Sequence, residues 1–341
     1  MPKLFCKSKD FTMNTLVDRF GRDHTYLRIS VTERCNLRCT YCMPARGIQL
    51  KPRAEMLTYD EIERLAEIFS TLGIRKIRIT GGEPLVRSGI EQLCGRLSVI
   101  KNIDTFAIST NGTLLEKKAK LLCDAGVKNI NISLDSLRQD RFESITLRSG
   151  HADVLRGIEA AIEAGFSSIK INAVIIRGFN DDELIDFVEF ARELSVSVRF
   201  IEYMPFPGNN WNESQFISFY EMKQRIESKY SLTPVTRTEP VPGPAKEFRV
   251  ENRNASVGFI NTMSDHFCGD CNRIRLTADG RLRTCLFAND GVDLKRLLRD
   301  GASRDVIEQA IRAAVLLKWE KHPGHEELMT NQDREMTAIG G

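Results

Sequence analysis

From about residue 26 to residue 205, six short β-like runs alternate with amphipathic helical stretches, and no other feature constrains the fold as strongly. The runs are YLRISVT (26–32), KIRITGGEP (76–84), TFAISTNG (105–112), NINISLDS (129–136), IKINAVIIRG (169–178) and SVRFIEYMP (197–205). Between the first two lies TYDEIERLAEIFSTLG (58–73). There Ile62, Leu65, Ala66, Ile68 and Phe69 form a stripe of 3.6-residue period, and Gly73 suits the position just past a helix end. HADVLRGIEAAIEAG and DELIDFVEFARELS repeat the plan. Strands that alternate with helices pair in parallel through right-handed crossovers. Six units are two short of a closed (β/α)8 barrel, so the expected fold is α/β, an incomplete (βα)6 TIM-like barrel over residues 15–232.

The texture then changes, and residues 233–341 are expected to form a C-terminal α+β domain. FISFYEMKQRIESKY reads as one more helix, and TPVTRTEPVPGPAKEF as a Pro-rich linker. EFRVEN and SVGFINTMS read as strands, RIRLTADGRLRTCLF as a hairpin about its TADG turn, and residues 293–319 as helical. The polar tail NQDREMTAIGG ends in Gly340-Gly341.

In parallel α/β folds the loops at the C-terminal ends of the strands build the active site. Every unusual motif falls there: a cysteine loop after strand one, then GGEP, STNG, SLDS and EYMP at later strand ends. Composition excludes other classes. Apolar residues make up 42% and charged residues 28%, with a net charge of +3, too small by itself to point to nucleic acid or an anionic membrane. No apolar run has the length of a membrane span and the N-terminus lacks an apolar signal region, so a cytoplasmic location is expected.

Nine cysteines in such a chain suggest metal or redox chemistry rather than a disulfide framework. Cys35, Cys39 and Cys42 form one group; Cys268, Cys271 and Cys285 form a second; Cys6, Cys94 and Cys123 stand alone. Cys94 and Cys123 lie in helical patterns and read as small buried hydrophobes. A structural zinc site wants four ligands, usually in two pairs. C-x3-C-x2-C has no nearby fourth, whereas a [4Fe–4S] cluster held by three cysteines keeps one iron open for an outside ligand. Spacing leaves zinc open for the second group, completed by His266 or another residue. Arg273 and Arg275, two apart on a strand-like run, face one side; Arg281 and Arg283 lie across the turn. Together they offer guanidinium forks to phosphate or, alone, a solvated basic strand face.

CNLRCTYC, with an aromatic before its third cysteine, and GGEP resemble the radical S-adenosylmethionine (SAM) superfamily. RISVTERCNLRCTYCMP, IRITGGEPLVR, STNG, INISLDS, RFIEYMP, CGDCNRIRL…CLF and the terminal GG resemble, across nearly the whole chain, the GTP 3′,8-cyclase family of molybdenum cofactor biosynthesis. The resemblance implies two [4Fe–4S] clusters, on Cys35, Cys39 and Cys42 and on Cys268, Cys271 and Cys285. It implies SAM contacts at Tyr41, Gly82, Ser133 and Met204; alone, Ser133 would read as a strand-end hydroxyl and Met204 as core filling. For GTP it implies Arg28, Arg78, Ser109, Lys170, Arg273 and Arg275, each otherwise readable as a structural or surface polar residue. Ser109 stands where the family often carries threonine, and the hydroxyl is kept.

In the implied reaction, reductive cleavage of SAM yields a 5′-deoxyadenosyl radical that takes hydrogen from C3′ of GTP. The C3′ radical attacks C8, and uptake of one electron and one proton then gives 3′,8-cyclo-7,8-dihydro-GTP. Arg273, Arg275, Gly340 and Gly341 are assigned to catalysis, the glycine tail reaching into the barrel. A reductant protein and a downstream pterin-forming enzyme are implied partners, for a monomer or homodimer with no nucleic acid or membrane. Two other readings compete: a peptide-modifying two-cluster radical SAM enzyme, and a zinc-stapled nucleotide-binding protein. No Walker-type phosphate loop occurs.

Overall fold

A computed structural model describes residues 15–44, 46–236, 241, 243–251, 255–289, 291–324, 327–328 and 336–340. Cys6 and Gly341 lie outside them. The six expected strands are all present: β1 (Tyr26–Ser30), β2 (Lys76–Thr80), β3 (Thr105–Thr110), β4 (Asn129–Ser133), β5 (Ser168–Ile175) and β6 (Ser197–Glu202). Most stop short of the sequence estimate because motifs such as GGEP and SLDS leave the sheet as loops.

Helices α1 (Tyr59–Thr71), α2 (Ile90–Ser98), α3 (Ala119–Asp124), α4 (Gln139–Thr146), α5 (His151–Glu163) and α6 (Leu184–Glu193) cover the outer face. The stripe of α1 is buried as expected, Thr58 and Glu61 close a capping box at its start, and Gly73 follows with φ +95°. Cys94 is buried in α2, while Cys123 on α3 is only partly covered.

Beyond α7 (Phe219–Glu227) come β7 (Leu232–Pro234), β8 (Lys246–Val250), β9 (Ala255–Ile260), β10 (Arg273–Leu276), β11 (Arg281–Arg283) and β12 (Val292–Asp293), then α8 (Leu294–Arg299), α9 (Arg304–Leu316) and a one-turn α10 (Met336–Ile339). These strands join the same sheet, whose order is β12-β11-β10-β1-β2-β3-β4-β5-β6-β9-β8-β7. β10 pairs in parallel with β1, and β9 in parallel with β6. The C-terminal segment thus flanks the six-stranded parallel core on both sides, an arrangement that local periodicity does not carry. The expected hairpin is β10–β11, turning at Gly280 with φ +83°. β7 begins where only a linker is expected.

Along these strands isoleucine and leucine alternate with polar residues. Leu27, Ile29, Ile77, Ile79, Ile108, Ile130, Ile132 and Ile171 are fully buried under the helices. The alternate positions face inward and are mostly polar, because the sheet curls and encloses a cavity on that side.

Candidate active site

The cavity measures about 380 Å³. Both cysteine triads line it, as do Tyr41, Gly82, Ser133 and Met204 of the expected SAM set and Arg28, Arg78, Ser109, Lys170, Arg273 and Arg275 of the expected GTP set. Arg28 and Arg78 sit in the middle of their strands, deeper than strand-end positions. Arg281 and Arg283 are not on the cavity. Arg283 lies opposite Arg275 across the hairpin and is buried, and Arg281 donates to Gly291 O at 3.3 Å. The picture of a solvated basic strand face does not hold.

The first triad rides the loop after β1. Arg38 N and Thr40 N donate to Thr146 O and Ile145 O, tying the loop to α4, and Arg87 Nη1 donates to Val31 O at 2.6 Å. The glycines of GGEP have a definite cause. A Cβ on Gly82 would stand 2.4 Å from Arg34 O, and one on Gly81 2.8 Å from Thr32 O. Both residues are therefore demanded by backbone of the cysteine loop packing on the end of β2. Glu83 fastens the same corner, accepting from Thr110 Oγ1 (2.8 Å), Asn111 N (2.6 Å) and Leu85 N (2.9 Å); burial pushes its carboxyl up to about 7.

Burial and nearby donors act on the sulfurs of the first triad in opposite directions. Leu37 N and Asn111 Nδ2 donate to Cys35 Sγ at 3.4 and 3.7 Å. Burial, then Cys35 and Asp135, push the Cys42 thiol up to about 12; burial, Asp135, Cys42 and Cys35 push Cys39 well above its ordinary value. Crowded dry thiolates are costly unless multivalent cations lie among them. Each triad offers three thiols, one short of the four ligands of a structural zinc site and enough for a [4Fe–4S] cluster with one open iron. Asp135 accepts from Tyr41 OH at 2.8 Å and Val174 N at 2.9 Å, and burial pushes it up to about 6.

At the other side, registry stacks cations in rows. Arg275, Arg28 and Arg78 occupy one level of β10, β1 and β2; Arg273, Tyr26 and Lys76 occupy the next. Neighbouring strands lie about 4.8 Å apart, so each row sets its charges side by side. Burial, then Arg28 and Arg273, bring Arg275 down to about 9; burial, despite Tyr26 and aided by Arg78, brings Arg28 down to about 10. Burial opposes ionisation of Tyr26, but Arg78, Arg28 and Lys76 outweigh it and bring the phenol down to about 7. Arg275 Nε has no hydrogen-bond partner. Such rows are built for a polyanion. Cys271 borders them. Burial raises its thiol, but Arg273 and Lys318 prevail and hold it near about 6.

The tail also reaches the cavity. Met336 and Thr337 line it, Ile339 is buried with Phe206, Phe287 and Leu328, and Gly340 has φ +83°. A Cβ on Gly340 would meet Ser30 Cβ at 2.8 Å and Thr80 Cγ2 at 3.3 Å.

Comparison with known proteins follows the same outline. The Radical SAM superfamily model matches residues 29–191, and the Molybdenum Cofactor Synthesis C model matches residues 196–324. A GTP 3′,8-cyclase of Thermodesulfovibrio yellowstonii is 46% identical, covering 95% of this chain and 99% of its own. The mitochondrial GTP 3′,8-cyclase of Arabidopsis thaliana is 45% identical, covering 96% and 83%. The chain belongs to the GTP 3′,8-cyclase family. It spans about half of the Dictyostelium discoideum molybdenum cofactor biosynthesis protein 1, at 48% identity, 95% of this chain and 52% of that one. The fold is also that of Streptococcus suis SuiB: its structure with precursor peptide SuiA has TM-score 0.62 and 15% identity, covering 86% of this chain and 67% of that one. At that identity the likeness concerns the fold alone. Among the described residues no helix is long and apolar enough to cross a membrane.

Sequence reasoning missed Lys76, Arg199, Tyr26, Asn111, Asp135 and Lys318 as residues at the site. Lys76 was within reach, being two positions before Arg78 on one strand. Asn111 and Asp135 lay inside motifs already recognised. Lys318 follows a helix end and carries no local signal.

Proposed function

We propose that this chain is a GTP 3′,8-cyclase acting in molybdenum cofactor biosynthesis, converting GTP to (8S)-3′,8-cyclo-7,8-dihydroguanosine 5′-triphosphate. One observation carries the reading: a single cavity is lined by both cysteine triads and by the rows of buried cations. The curved sheet is read as the incomplete (βα)6 barrel of residues 15–232, with residues 233–341 supplying the second cluster site and the tail. Cys35, Cys39 and Cys42 would hold one [4Fe–4S] cluster, and Cys268, Cys271 and Cys285 the other. When bound, the first cluster and SAM supply the radical that begins ring closure.

The residues present then divide the work. Tyr41, Gly82, Ser133 and Met204 border SAM, with Asp135 fixing the Tyr41 hydroxyl. Arg28, Arg78, Lys170, Arg273 and Arg275 bind the triphosphate, which relieves the mutual repulsion of the rows, and Ser109 supplies a hydroxyl. Arg78 Nη1 donates to Ser109 Oγ at 3.2 Å and Arg78 Nε to Tyr26 OH at 2.6 Å, so its fork is oriented before substrate arrives. Residues 336–340 cover the reacting ribose and keep water from it. The expected setting is the cytoplasm, with an external one-electron donor. The test is anaerobic incubation with SAM, GTP and reductant. Mass spectrometry should find 5′-deoxyadenosine and the cyclised triphosphate in equal amounts; SAM cleavage that GTP neither stimulates nor turns into cyclised product refutes the assignment.

A further inference from the structure

Lys318 is 2% exposed and sits two residues beyond the end of α9, yet the chemistry above does not use it. Its Nζ donates to Cys271 Sγ at 3.4 Å and to Arg273 O at 2.7 Å. Burial, joined by Arg273, disfavours its charge, and the sulfurs of Cys271 and Cys285 oppose that shift. A buried ammonium requires a negative partner, and here the partner is the metal-ligating edge itself.

The placement is held from outside. Arg22, oriented by Asp18 through Nε at 2.6 Å, donates to Trp319 O (2.6 Å), Glu320 O (2.7 Å) and Cys268 O (2.7 Å). One guanidinium thus clamps the segment carrying Lys318 to the loop carrying Cys268. The lysine is aimed at the sulfur by backbone on both sides.

We propose that Lys318 is a positioning cation of the second iron–sulfur site, whose N–H···S contact with Cys271 favours the one-electron-reduced state of the cluster carried there. The inference rests on the two-cluster reading above. A [4Fe–4S] cluster on three thiolates gains one negative charge on reduction, so a fixed buried cation beside one ligand stabilises the reduced form more than the oxidised form. Hydrogen bonds to cluster sulfurs and local charge are established determinants of such potentials.

The test uses the full chain carrying Cys35→Ala, Cys39→Ala and Cys42→Ala, so that only the second site contributes iron and a reduced-cluster spectrum. Lys318→Met and Lys318→Arg are added separately, and each protein is titrated with dithionite in the presence of mediators. Lys318→Met should retain iron but become harder to reduce, the reduced-to-oxidised ratio at a fixed poise falling about tenfold, equivalent to about 59 mV for one electron. Lys318→Arg should recover most of that shift. An unchanged potential in Lys318→Met, or an equal shift in both variants, overturns the proposal. If Lys318→Met does not retain iron, Lys318→Gln keeps a donor without the charge and is titrated instead; loss of iron from both assigns the lysine to scaffolding and also overturns it. Absence of iron from the parent with Lys318 intact refutes the two-cluster reading instead.

Discussion

Replacing Arg275 with methionine separates what the cation rows cost from what they do. Arg275 is buried, faces Arg28 across β10–β1 and leaves Nε without a hydrogen-bond partner. A buried donor without a partner costs about 1–3 kcal/mol, and repulsion from Arg28 and Arg273 adds to it. Methionine has similar reach, no charge and no donor. Arg275→Met should therefore stabilise the GTP-free protein by about 1–3 kcal/mol. It should weaken GTP binding by about tenfold or more, since a charge-assisted bond contributes about 1.5–3 kcal/mol. The assay pairs denaturant melts of the GTP-free protein with calorimetric GTP titration at fixed ionic strength. The two changes have opposite signs. A variant that loses stability and GTP affinity together would show that Arg275 is part of the scaffold, and the reasoning from crowded charge would fail.

Alanine at Cys35, Cys39 and Cys42 together should abolish 5′-deoxyadenosine formation, while alanine at Cys268, Cys271 and Cys285 should remove about half the iron and stop cyclisation, as read by metal analysis and chromatography. Deleting Gly340 and Gly341 should leave iron content, SAM cleavage and GTP binding largely intact while cyclised product falls sharply; full product yield would return the tail to a frayed terminus. Asp135→Asn tests the buried carboxyl in cluster-free protein. Burial raises Asp135 from 3.8 to about 6, so the folded state holds a proton that the unfolded state has released, and stability falls as pH rises between those values. About two pK units correspond to about 3 kcal/mol; the variant should lose that share of the fall while the share from buried Glu83 persists, and a fall from pH 4 to 7 in urea melts as large as that of the parent would show that Asp135 contributes none of it.

Much of this was legible because the informative signals were local. Alternation of period 2 and 3.6 located β1–β6 and α1, and both triads and the RIR run stood out by composition. What escaped depends on pairing between distant segments. Nothing local in RIRL says that it lies beside YLRIS, yet that registry puts Arg275 next to Arg28 and Arg273 next to Tyr26. Likewise, Gly82 reads as a strand-end turn or ligand approach until Arg34 O is found 2.4 Å from its missing Cβ. Arg281 and Arg283 obeyed the same alternation as their partners, but their hairpin strand is one step farther from the cavity.

The two flanking strands have a consequence for how the chain is made. β1 cannot meet β10 until about 240 residues after its own end have been synthesised, roughly 10–50 s of elongation. During that interval one side of the nascent sheet lacks its neighbour, and such an edge invites pairing with other chains. β6 waits likewise, for a shorter time, for β9. Inward-pointing charge is a recognised guard for an unfinished edge, and β1 carries Arg28 at its centre, backed by Arg78 on β2. The guanidiniums assigned to triphosphate would then serve before any substrate is present, discouraging premature partners until the last third of the protein leaves the ribosome.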